Sequence, residues 1–204
     1  MPKNIIIALT AGFIILALAF ASVLRYFNRR DAVSLRQARQ LEQEKEEAEF
    51  NQAKLLEELK KQKYDVIAFE SALATVELPA SEKYADQEKI MKQLKSGEVS
   101  VYAASDAINA TKIQCEKAQK EIMFIRVPAA LPKTTQKQLE EVKTDIAAGY
   151  AKKTVALDYL LKFLDDGKPL YERKFNESLK DARQFSTSAA LSLLEVKKKV
   201  GFEF

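Results

Sequence analysis

The order of apolar and polar positions divides the chain into one unbroken apolar run and a long region of helical periodicity. Residues Ile5 to Leu24 read IIIALTAGFIILALAFASVL, with no charge and only Thr10 and Ser22 as mildly polar side chains. A bilayer core of about 30 Å takes roughly 20 apolar residues at a rise of about 1.5 Å each. The run therefore reads as a transmembrane helix, apolar on every face, with its backbone satisfied internally. Tyr26 and Phe27 follow at interfacial depth, and Arg25, Arg29 and Arg30 stop it. A cleaved signal peptide is the alternative, because Ala19-Phe20-Ala21 before Ser22 has the small-x-small spacing of a cleavage site.

From Asp31 to Leu78 the pattern predicts one long helix. Its first part, residues 36–54, has Leu41, Ala48 and Phe50 as its main apolar points and is too polar to bury a broad face. It reads as a stalk. Leu41, Ala48, Leu55, Gln62, Phe69 and Val76 recur at heptad spacing, but Lys45 and Gln52 break the companion seam of a coiled coil. From Leu55 onward the apolar content rises through Leu56, Leu59, Tyr64, Val66, Ile67, Phe69, Leu73, Val76 and Leu78, and this half is expected to enter a bundle. Pro79 should end the helix, since the residue before a proline is pushed out of the helical region.

Ser81 is then placed to cap a short helix over residues 82–95, with Tyr84, Ile90, Met91 and Leu94 as its apolar residues and Ser96-Gly97 as its stop. Next, Ala104, Ile108, Thr111, Cys115, Ala118, Ile122 and Ile125 step by four and three along a helix predicted over 100–126. Pro128 and Pro132 bracket a loop. A further helix opens near Thr134 or Thr135, where Thr135 with Gln138 matches a capping box. Leu139, Val142, Ile146, Tyr150, Leu157, Leu160, Leu161 and Leu164 form its apolar face, and Gly149 interrupts it where another helix can approach closely. Asp165-Asp166-Gly167-Lys168-Pro169 is a stop signal. The last helix runs from Pro169 to about Val200, carried by Tyr171, Phe175, Leu179, Ala182, Ser186, Ala189, Leu193 and Val196. Gly201 ends it, and the short tail with Phe202 and Phe204 is expected to fold back on the bundle.

The expected architecture is therefore all-α. A transmembrane helix continues into a long helix, followed by an antiparallel up-down bundle of four-helix type with coiled-coil-like packing. Residues 1–4 are a tail, 5–24 the anchor, 25–54 a basic flank and stalk, 55–200 the bundle, and 201–204 a C-terminal tail.

Charge sharpens this picture. The formal net charge of the 204-residue chain is +4. The excess sits beside the anchor, in Arg25, Arg29, Arg30, Arg36 and Arg39 against Asp31, where it can meet anionic lipid. Residues 40 to 204 hold 27 basic and 28 acidic groups, so nucleic acid is not an expected partner. The arginine cluster leans towards a bundle on the cytoplasmic side of the plasma (inner) membrane, with an exported bundle as the competitor.

The chain contains no histidine and one cysteine, Cys115. Ser-His-Asp and Cys-His pairs, HExxH zinc helices and Cys clusters are therefore absent, and the five glycines form no phosphate loop. Cys115 falls on the apolar stripe and reads as a core residue. Asp145, Asp158 and Lys153 are the one group placed to suggest carboxylate or lysine chemistry; helix-face charges of this type are ordinarily solvated or paired. No catalytic, cofactor-binding or metal-ligating residues are named.

In layout the chain is similar to LemA-like proteins, phage inner-membrane spanins and chemoreceptor-type sensor bundles, and no motif ties it to one of them. The expected function is non-enzymatic. The protein is read as a membrane-anchored scaffold, adaptor or complex subunit that contacts lipid and a protein partner or itself. The alternative is an extracytoplasmic sensor or small-ligand-binding bundle, for which Thr111, Tyr150 and Lys153 are candidate lining residues.

Overall fold

A computed structural model describes the backbone of residues 3–203 and the side chains of residues 39–203. Among the described residues there are four helices and no strand: α1 (Lys3–Ser96), α2 (Val101–Phe124), α3 (Lys133–Asp166) and α4 (Pro169–Lys199). The chain divides into two units, Met1–Glu57 and Glu58–Phe204.

In the first unit every described side chain, from Arg39 to Glu57, is exposed. Leu55 and Leu56, expected to enter the bundle, are among them. The expected membrane span, Ile5 to Leu24, and Arg25, Arg29, Arg30 and Arg36 lie outside the residues whose side chains are described. Among the described residues no helix is long and apolar enough to cross a membrane.

In the second unit the four helices pack as an antiparallel up-down bundle. Lys197 of α4 reaches Glu70 of α1 at 2.6 Å, and Lys112 of α2 reaches Asp158 of α3 at 2.6 Å. Lys152 of α3 pairs with Asp181 of α4 at 2.8 Å, and the Thr111 hydroxyl of α2 donates to the Lys83 carbonyl of α1 at 3.0 Å. These pairs fix the register of all four neighbouring interfaces. The apolar residues do the stabilising: Val66, Phe69 and Leu73 of α1, Ile108, Cys115 and Ile122 of α2, Leu139, Val142 and Leu157 of α3, and Ala189 and Val196 of α4 form one core. A large aliphatic side chain so buried contributes about 1.5–3 kcal/mol.

Two boundaries differ from expectation. Pro79 does not end α1; it lies inside the helix, and the expected separate helix over 82–95 is the same element. Pro79 lacks an N–H and leaves the Thr75 carbonyl without its helical donor, a defect of about 3 kcal/mol in a helix interior. Both Pro79 and Thr75 are exposed, so water can satisfy that carbonyl. Ala80 and Gln87 are buried beyond the proline, and Tyr84 and Met91 pack against the same core as Phe69 and Leu73. Packing on both sides outweighs the local fault. The second difference is at the start of α3, which begins at Lys133 after Pro132 without a side-chain cap. Thr135 is buried inside the helix. Gln136 instead turns back, donating to the Ala129 and Leu131 carbonyls at 3.0 and 2.6 Å.

The remaining ends follow their chemistry. Ser100 caps α2 by accepting from the Ala103 N–H at 3.2 Å. At Gly201 (φ +82°) the chain turns back: Gly201 N–H donates to Lys198 and Phe202 N–H to Lys197, each at 3.0 Å. This paired closure needs a left-handed residue, which glycine adopts without strain. It lays Phe202 against the core, as expected of the tail, between the ammonium groups of Lys63 and Lys197 at 5.5 and 5.7 Å from its ring centre.

Candidate functional site

The residues singled out in the sequence for chemistry do not converge. Asp145 accepts from the Ser188 hydroxyl on α4 at 2.6 Å, whereas Asp158 pairs with Lys112 on α2. Lys153 projects over aromatic rings, 4.4 Å from the centre of Tyr150 and 5.9 Å from that of Tyr84. Thr111 is buried and donates locally to Ala107 as well as to Lys83, so its hydroxyl is already used. Arg39 is exposed. Among the described residues no group of three or more His, Cys, Asp or Glu is placed to hold a metal ion.

A polar strip does cross the middle of the bundle. Burial raises the Glu77 carboxyl above the usual range, against the opposing pull of Lys153 and of the neighbouring Tyr150 hydroxyl. Burial also raises the Tyr150 phenol, with the Glu77 charge adding to the effect. The Tyr84 phenol is pushed up to about 12, by burial first and by Glu88 second. The Cys115 thiol, fully buried, is pushed up to about 11 for the same primary reason, as suits a core position rather than a reactive thiol.

Beyond this strip, towards the α1 C-terminus, the helices enclose a cleft of about 460 Å³. α1 contributes Tyr84, Gln87, Glu88, Met91, Lys92 and Lys95; Leu160 and Phe163 come from α3, and Glu172, Phe175, Asn176 and Leu179 from α4. A smaller hollow, about 280 Å³, shares Tyr84, Glu88 and Leu179 with it and adds Ser81, Lys153, Ala182 and Arg183. The bottom is apolar and aromatic, and the charges stand at the mouth. Gln87 is the exception. It is only 3% exposed, and its Oε1 has no hydrogen-bond partner among the described residues. Buried polar atoms are nearly always paired, so an unpaired buried acceptor on a residue that lines a cleft is an uncommon feature.

The sequence reading missed this cleft, although Tyr84, Gln87 and Met91 follow the three-and-four step of an inward stripe. Lys143 was also missed: it is 7% exposed, and its ammonium donates to the Ile125 carbonyl at the end of α2 at 3.2 Å. A cation there complements the negative end of the helix.

The fold defines the class: an all-α antiparallel helical bundle. No protein-family model, curated protein or solved structure matches the chain.

Proposed function

We propose that the protein is a non-enzymatic, single-pass membrane-anchored helical bundle that acts by contact, as a scaffold, adaptor or subunit of a complex in the plasma (inner) membrane. The anchor is the uncharged run Ile5 to Leu24, flanked by Arg25, Arg29, Arg30, Arg36 and Arg39. One observation carries the contact role. The described part of the first unit is a helix whose side chains are all exposed, yet Leu41 is 58% and Phe50 70% exposed, with Leu55 and Leu56 exposed beside them. Apolar residues held on an uncovered helix favour a partner helix, from another protein or a second copy. The charge balance beyond the arginine cluster gives nucleic acid no footing.

The test is a photo-crosslinking amino acid placed at Leu41 or Leu55 of the full chain in its native membrane. A discrete adduct from these sites, absent when the probe replaces exposed Lys45, supports the reading. No adduct from either site removes the contact role. A mature N-terminus at Ser22 removes the tether, and a reporter fused after Phe204 reads the side of the membrane, expected cytoplasmic.

A further inference from the structure

We infer that the cleft between α1, α3 and α4 binds a small uncharged amphipathic molecule, its apolar body on Met91, Leu160, Phe163 and Phe175 and a single N–H or O–H donor on the Gln87 amide. This goes beyond a contact role and does not depend on it.

The volume, about 460 Å³, lies in the range of small-molecule pockets, roughly 300–1,000 Å³. The lining has the composition such sites use, an apolar floor with few polar groups to fix orientation. Gln87 supplies the orienting group: nine-tenths or more of it is buried, and its carbonyl oxygen is unmatched. The final torsion of a glutamine is broad and two-fold, so the amide can turn its oxygen toward the cleft without disturbing the helix. A ligand without a donor leaves that oxygen unpaired; a ligand with one repairs it. At the mouth, Lys92 and Lys95 stand with Glu88 and Glu172, two charges of each sign, so the entrance favours neither an anion nor a cation.

Indole and indene form a matched pair of probes. They have nearly the same shape, and only indole carries an N–H. The full-length chain in lipid nanodiscs, labelled at its methionine methyl groups, reports the site directly. Met91 lines the cleft, whereas Met123 is exposed on α2, which contributes no residue to it. Indole should shift the Met91 methyl saturably and leave Met123 in place. Indene should bind about tenfold more weakly, the factor expected when one buried acceptor goes unpaired. In Gln87→Leu the two probes should bind alike. The comparison on the unaltered chain stands even if that variant fails to fold. The inference is overturned if Met91 does not respond to indole, if Met91 and Met123 move together, if the unaltered chain binds both probes equally, or if Gln87→Leu keeps the preference for indole.

Discussion

The two ends of the bundle are built from the same four helices and close in opposite ways. At one end Val66, Leu139 and Val196 are fully buried, Val200 nearly so, and Phe202 folds over them. At the other, Leu160 is buried but Met91, Phe163, Phe175 and Leu179 are only partly covered and surround a cleft. Helical periodicity aims a face inward equally at both ends. Closure depends on what the facing positions hold: β-branched and aliphatic groups with a folded-back aromatic in one case, long flexible and aromatic groups around a glutamine in the other.

The sharpest way to break this comparison is a matched pair of truncations. Leu139→Ala should cost about 3–5 kcal/mol in chemical denaturation, because a closed, fully packed site keeps its cavity. Leu160→Ala should cost about 2 kcal/mol, since its side chain already borders open space that solvent can enter. Equal losses would mean that the two ends are packed alike. Next in size, Gln87→Leu should stabilise the unliganded chain by about 1–2 kcal/mol by removing an unpaired buried acceptor. A loss of stability there would mean that the amide is satisfied in solution.

Between the two ends lies Gly149. A Cβ at this position would sit 3.4 Å from both the Ala182 carbonyl and the Ser186 hydroxyl, an ordinary contact. Gly149→Ala should therefore gain up to about 1 kcal/mol from helix propensity, read as a higher melting temperature. The close approach of α3 and α4 uses the glycine without demanding it.

The smallest effect belongs to Glu77. Its carboxyl is raised in the folded state, so folding favours the protonated form. That contribution is fully present below the unfolded value of 4.5 and is lost as pH rises through the raised folded value. Glu77→Gln should therefore melt higher than the unaltered chain at pH 7, and the difference should vanish near pH 4. In the alkaline direction the same sign holds for Cys115. Its stabilisation is intact below 9 and lost as pH climbs through about 11, so Cys115→Ala should flatten the fall of melting temperature over that interval.

What the sequence made legible follows from where each signal lies. The α2 stripe from Ala104 to Ile122 could be read residue by residue, because α2 buries one narrow face and each step of that face is apolar or small. The ends at Gly167 and Gly201 could be read because a left-handed stop is a local property. Pro79 misled because its penalty is local while the packing that overrides it, from Phe69 to Met91, is tertiary. Thr135 misled because the helix starts earlier, at Lys133 after Pro132, which places Thr135 inside the first turn and buries it, away from the capping position. The cleft was illegible for a different reason. A glutamine inside a charged helix reads as surface, and only the inward step of its neighbours Tyr84 and Met91 argues otherwise.

The turn at Gly201 ties together distant parts of the chain. Val200 and Phe202 cover one end of a core that begins at Val66, so this end is shut by a contact of long sequence separation. Such contacts are reached only after the intervening helices have been brought together, and three docked helices leave that end of the core wet until α4 arrives.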